Sequence, residues 1–200
     1  MEEYMSLQHY LIQFNALMNN VDPAEIEALI DAIEEAYDNN RFVFIIGNGG
    51  SGANASHLCE DLGKGTLSDF ENQKRLKVMS LTDNTPYILA WANDTSYDNI
   101  FVEQLKNFAE PGALLIAISG SGNSPNILKA VEYANTHDMK TFGVTGFNGG
   151  KLRQIAHRTF HVATDDSQCH DRQMGLCEAV HMVFFHYVLI TLRERFQAKR

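Results

Sequence analysis

His57 and Asp61 stand four residues apart, and Glu178, His181 and His186 follow on one apolar-rich segment near the end of the chain. A spacing of four puts the first two on one face of a helix. At about 100° per residue, Glu178 and His186 differ by roughly 80°, whereas His181 diverges from His186 by about 140°. Glu178 and His186 therefore lean to one side, and His181 points elsewhere, as a hydrogen-bonded core residue. Eight residues of helix is about 12 Å of rise, so joint ligation needs both side chains to reach along the axis. His57, Asp61, Glu178 and His186 together make a divalent metal site, a set of acid–base groups, or both. His9, His137, His157, His161 and His170 form no such constellation, and Cys177 beside Glu178 reads as a packed thiol.

Two loops of small residues complete the chemistry-bearing set. Gly47-Asn48-Gly49-Gly50-Ser51-Gly52 matches the dinucleotide pattern G-x-G-x-x-G, but Asp69 and Glu71, the acidic residues at about the right distance, precede the next strand instead of ending it. The alternative is a tight turn with no ligand. Ser119-Gly120-Ser121-Gly122-Asn123-Ser124, followed by Pro125, reads either as a phosphate cradle or as a serine-rich helix cap. No lysine follows in Walker fashion, which disfavours triphosphate hydrolysis. Two short loops of this kind suit one small phosphorylated ligand better than a long dinucleotide. Asp94, in Trp91-Ala92-Asn93-Asp94, either orients a sugar hydroxyl or caps the helix that follows.

The elements that must position these groups follow from periodicity. Tyr4, Leu7, Leu11, Phe14 and Leu17 recur every three or four residues, predicting a helix with one buried stripe. Asp22-Pro23 caps a second helix whose apolar face is Ile26, Leu29, Ile30 and Ile33. From residue 41 the pattern changes. Short apolar runs at 42–46, 76–81, 113–118, 141–144 and 159–163 read as buried strands. Helical patterns at 53–62, 97–108, 125–137 and 151–156 lie between them, and a last helix spans about 173–196. Such alternation predicts an α/β parallel sheet with helices on both faces. We read residues 1–200 as one domain, with N-terminal helices at 1–40 and the α/β core at 41–200. Ligands in such sheets sit beyond the carboxyl ends of the strands, where both glycine loops fall.

Composition narrows the classes. The 200 residues carry 16 Lys+Arg and 25 Asp+Glu, a net charge of −9, which argues against a nucleic-acid partner. No uninterrupted apolar run approaches a membrane span, and residues 1–15 lack a signal peptide's basic and apolar regions. Three cysteines, Cys59, Cys169 and Cys177, form no CxxC pair and suit a reducing cytosol, so a cytoplasmic location is expected.

Taken in order, Gly47–Ser51, His57 with Asp61, Ala92-Asn93-Asp94, Ser119–Ser124, Thr145-Gly146 and the Glu178-to-His186 helix resemble the sugar isomerase (SIS) domains, and most of all their phosphoheptose isomerase branch. The resemblance runs from about residue 41 to 190. It implies a flavodoxin-like five-stranded parallel sheet, a homotetramer with sites between subunits, and isomerisation of sedoheptulose 7-phosphate to D-glycero-D-manno-heptose 7-phosphate for cell-envelope heptose synthesis. It further implies that Asn48, Gly49, Gly50, Ser51, Asp94, Ser119, Gly120, Ser121 and Ser124 bind the sugar phosphate, with Asp61 and His186 catalytic. Some members bind zinc through the positions matched by His57, Asp61, Glu178 and His186. Three residues depart from the family pattern: Asp61 where glutamate is usual, Glu178 for glutamine, and Gly65 for arginine. Two rival readings remain. Some relatives are non-catalytic adaptors that bind a replication initiator protein, and other isomerases of this kind act on a different sugar phosphate.

Overall fold

The structure is a computed structural model that describes residues 5–164 and 170–199. Tyr4 and Cys169 lie outside the described residues, as does the side chain of His170. Helices α1 (Leu7–Asn19) and α2 (Pro23–Asp38) precede the first strand, β1 (Phe42–Gly47). Helix α3 (Gly49–Glu60) runs into one π-helical turn at Asp61–Gly65, ahead of β2 (Lys77–Ser80). Then come α4 (Thr85–Asp94), a 3-10 turn at Tyr97–Asn99, α5 (Val102–Phe108) and β3 (Leu114–Ser119). The chain closes with α6 (Pro125–Asn135), β4 (Lys140–Gly146), α7 (Leu152–Ile155), β5 (Arg158–Val162) and α8 (His170–Ala198).

All five strands pair in parallel, in the order β2-β1-β3-β4-β5. The chain leaves β1 towards one edge and returns past it to β3, so the connections diverge between those two strands. Strand alternation divides the core into two layers. Val43, Ile45, Leu114, Ile116 and Ile118 pack beneath α2 and α8, while Phe44, Ile46, Leu115 and Ala117 pack beneath α5 and α6. Strands buried on both faces explain the continuous apolar runs in the sequence.

Asp22 caps α2 as expected, its Oδ1 accepting from the Ala24 N–H at 2.9 Å. Helix α1 departs from expectation. Its period is helical, yet none of its residues is buried, and Leu7, Leu11 and Ile12 are exposed. Only Phe14, Leu17 and Met18 lean on the core. Helix α8 is long and apolar enough to cross a membrane by length and composition, but Leu176, Val180, Phe185, Val188, Leu192 and Phe196 are its core-packing face. Its C-terminal end is tied to α2, where Arg195 pairs with Glu27, Asp31 and Glu34 at 2.7–2.9 Å.

His181 is wholly buried, with its Nε2 3.1 Å from the Thr145 carbonyl oxygen, the core role expected of it. Burial pushes its pKa down to about 4. An unfolded imidazole protonates near pH 6.5, so the unfolded state binds more protons between those values, and stability falls as pH drops through that window. The share of His181 in the loss from pH 7 to pH 4 is about 3 kcal/mol, and His161, which burial also pushes down to about 4, acts in the same direction. Urea unfolding across pH 4–7 checks it, because His181→Leu should flatten the slope.

Candidate active site

Strands β1 and β3 are neighbours, and each ends in a glycine loop that opens a helix. The two loops face a cleft of about 260 Å³. Asn48, Gly49 and Ser51 line it from the first loop, Ser119, Gly120, Ser121 and Ser124 from the second, and Met174 and Glu178 from α8. Seven of the nine residues expected to bind the sugar phosphate thus share one cavity. Gly50 sits at its edge beneath Glu178. Asp94 does not line it. It is the last residue of α4, a surface helix with no buried residue, and its Oδ1 accepts from Asn93 Nδ2 at 2.9 Å. Nor does Asp94 cap the next turn, whose N-cap is Ser96.

The serine hydroxyls are arranged to donate. Ser119 Oγ accepts from the Gly122 N–H at 3.2 Å, and Ser121 Oγ accepts from the Asn123 N–H at 3.3 Å. Accepting leaves the O–H of Ser121 to donate to a ligand, while that of Ser119 is shared between a ligand and Ser124. Ser124 occupies the N-cap of α6 without capping it, and its Oγ lies 3.4 Å from Ser119 Oγ. Hydroxyl donors at an eleven-residue helix's N-terminus favour an anionic oxygen there.

Farther along α8 the ionisable residues meet. Asp61 Oδ2 lies 3.5 Å from His57 Nε2 and 3.9 Å from His186 Nε2, and the two imidazole nitrogens are 3.4 Å apart. Helix α3 carries His57 in its last turn, and the π turn that begins at Asp61 carries the carboxylate against α8. Such widened turns recur at functional sites. Asp61 is buried and its Oδ2 has no hydrogen-bond partner, while both histidines are half-exposed. Burial raises the Asp61 pKa above its ordinary value, opposed by the nearby His57 and His186.

An orphaned carboxylate oxygen between two imidazole nitrogens is a donor set that fits a divalent metal. For Zn–N bonds of about 2.05 Å a tetrahedron has edges of about 3.4 Å, close to the three spacings seen here. The fourth expected ligand is elsewhere. Glu178 Oε1 accepts from Ser51 Oγ at 3.2 Å, and its carboxylate lies over Gly50, where a Cβ would come within 2.1 Å of Oε2. Two turns of α8 separate it from His186, so it joins the serine cleft, and the metal-type cluster comprises His57, Asp61 and His186. Three protein ligands with an open position are the usual form of a catalytic zinc site.

The sequence reading passed over Asn126, Tyr97 and Met174. Met174 reaches the cleft from the first turns of α8, and the two others hold Asn48 by hydrogen bonds. Position 126 had one readable signal, an amide directly after the Ser-Pro that opens α6.

Similarity to known proteins gives the family. A family model described as the SIS domain matches residues 9–146. A probable phosphoheptose isomerase of Thermoplasma acidophilum is 31% identical over 192 residues, 96% of this chain and 100% of that protein. A phosphoheptose isomerase of Aquifex aeolicus is 37% identical over 150 residues, 72% of this chain and 75% of its own length. Among solved structures, a phosphoheptose isomerase from Francisella tularensis superposes with a TM-score of 0.80 at 27% identity, covering 92% of both chains. With the family model spanning more than half of the sequence and a curated relative matching nearly all of it, the chain belongs to the SIS domain family.

Proposed function

We propose that the protein is an aldose–ketose isomerase of a sugar phosphate, and that the substrate is sedoheptulose 7-phosphate, converted to D-glycero-D-manno-heptose 7-phosphate. The observation that carries this reading is the meeting of His57, Asp61 and His186 about two helical turns, or about 12 Å, along α8 from Glu178 in the serine cleft. A substrate with its phosphate at one end and its carbonyl at the other fits such a separation. Relatives named phosphoheptose isomerase support the choice of sugar.

In this reading the hydroxyls of Ser119, Ser121 and Ser124 hold the phosphate. Asp61 and His186 are the acid–base pair. One takes the proton from the carbon beside the carbonyl and returns it to the neighbouring carbon, and the other moves a proton between the two oxygens, through an enediol. Zinc held by His57, Asp61 and His186 would, when bound, polarise the carbonyl. NMR of the purified protein with sedoheptulose 7-phosphate and a panel of hexose and pentose phosphates tests the reading. Aldose signals are expected from the heptose substrate first. Conversion of a hexose phosphate alone would move the assignment to another sugar.

Self-association belongs to the same proposal. Leu7, Leu11 and Ile12 of α1 are exposed, as are Val183, Tyr187 and Ile190 of α8, which recur at four and three residues on one face. A homotetramer that covers these stripes is the expected state. Light scattering after size exclusion should give about four times the 22.5 kDa chain mass, and a monomer would contradict it.

A further inference from the structure

Asn48 is the N-cap of α3, yet its side chain makes no cap hydrogen bond. Its amide is turned instead to Asn126, 78 residues later, which is the second residue of α6 and 1% exposed. The two amides pair reciprocally: Asn48 Nδ2 donates to Asn126 Oδ1 at 2.9 Å, and Asn126 Nδ2 donates to Asn48 Oδ1 at 2.9 Å. The Ile127 N–H donates to Asn126 Oδ1 at 3.0 Å. That backbone donor requires an oxygen opposite it, which fixes which way round the Asn126 amide stands, and with it the Asn48 amide.

Tyr97 completes the chain of direction. Its hydroxyl donates to Asn48 Oδ1 at 3.0 Å. The turn that carries Tyr97 is fastened to α6, where Lys129 Nζ donates to Asn99 Oδ1 at 2.6 Å. Both lone pairs of the Asn48 carbonyl are therefore taken, by Asn126 and by Tyr97. Its remaining hydrogen-bonding capacity is the second Nδ2–H, and Asn48 is one of the residues that line the serine cleft.

We infer that Asn126 and Tyr97 are positioning residues that hold the Asn48 amide as a donor-only contact for an oxygen of the sugar phosphate, and that they set the spacing between the two glycine loops. A free asparagine offers a donor and an acceptor face with equal ease. The pinned one rejects a ligand that must donate and accepts one rich in oxygen acceptors. The inference rests on the phosphosugar reading above, because that reading supplies the oxygen.

Two substitutions separate this role from a structural one. Tyr97→Phe deletes one exposed hydroxyl and leaves the fold intact. Asn126→Asp keeps the acceptor for Ile127 and places a carboxylate in the first turn of α6, where the helix dipole favours it. Each should raise KM for sedoheptulose 7-phosphate by about 3- to 10-fold, the worth of one aligned hydrogen bond, with kcat within about twofold of wild type. The melting temperature of Tyr97→Phe should stay near wild type, whereas Asn126→Asp, which sets a carboxylate at a buried position against Asn48 Oδ1, should melt lower and is assayed well below its transition. A KM within twofold of wild type for both variants, or a kcat loss that tracks a lowered melting temperature at constant KM, overturns the inference. Turnover by the wild type decides the parent reading separately. If the wild type converts no sugar phosphate, calorimetric titration of the same three proteins with inorganic phosphate decides the positioning role: weaker binding by both variants upholds it, and equal or absent binding overturns it.

Discussion

Asp61→Asn is expected to lower kcat on sedoheptulose 7-phosphate by about 10³-fold while leaving the protein as stable as wild type, or more so. The first part follows from the role of a positioned proton carrier, which contributes roughly 10²- to 10⁴-fold. The second follows from where the carboxylate stands. Its Oδ2 is buried without a hydrogen bond, and its ion-pair partners are half-exposed histidines at 3.5 and 3.9 Å. Exposed partners return little for the cost of desolvating a carboxylate, so a neutral amide of the same shape removes an expense and few contacts. A catalytic collapse without loss of stability is the mark of a residue kept for chemistry. Steady-state kinetics beside thermal melts read both halves, and a loss under tenfold would remove Asp61 from the proton-transfer pair. The same substitution takes away one of three clustered ligand atoms, so zinc affinity should fall with activity.

Gly122→Ala should damage both the fold and the phosphate site. Gly122 has φ +66°, in the left-handed region, and a Cβ there would lie 2.0 Å from the Gly149 carbonyl oxygen. That neighbour is backbone, held where the Gly149 N–H donates to the Gly146 carbonyl at 2.8 Å, and cannot swing aside. The loop after β3 must therefore shift. With it would go the Gly122 N–H bond to Ser119 and the Leu152 N–H bond to the Gly122 carbonyl. A cost of about 3 kcal/mol is expected from strain plus displaced hydrogen bonds, or a melting temperature lower by about 6–12 °C. KM for the sugar phosphate should rise by at least tenfold, because Ser119 and Ser121 lose their orientation. Asn123→Ala, in the same loop, loses two side-chain bonds, from its Nδ2 to the Ser121 carbonyl and from the Lys151 N–H to its Oδ1, but brings no left-handed strain or backbone clash, and should do less. Equal effects from the two would mean that the strain and clash at Gly122 are not what the substitution costs.

What the sequence showed and what it hid divide along the range of the interactions. Strand-by-strand burial was legible at Phe42–Gly47 and Leu114–Ser119, because strands covered on both faces need apolar side chains at every position. The pairing of His57 with Asp61 was legible as well, since four residues of helix bring side chains together whatever surrounds them. Helical angle and the family resemblance both place Glu178 with them. The structure puts it over Gly50 instead, because a glycine in the facing helix leaves a gap that the carboxylate fills, and angular reasoning on one helix cannot see the partner's missing side chain. The reciprocal amides of Asn48 and Asn126 were illegible for a similar reason: they meet only because β1 and β3 are adjacent. Helix α1 shows a third kind of gap. Its apolar spacing is sound, but a single chain supplies no surface to cover Leu7, Leu11 and Ile12.

The most direct measurement is NMR-monitored conversion of sedoheptulose 7-phosphate by the metal-replete wild type beside the Asp61→Ala, His186→Ala double variant. Conversion by the wild type and none detectable by the folded variant is the result this account requires. Turnover by the double variant at the wild-type rate would show that the chemistry happens somewhere other than between α3 and α8.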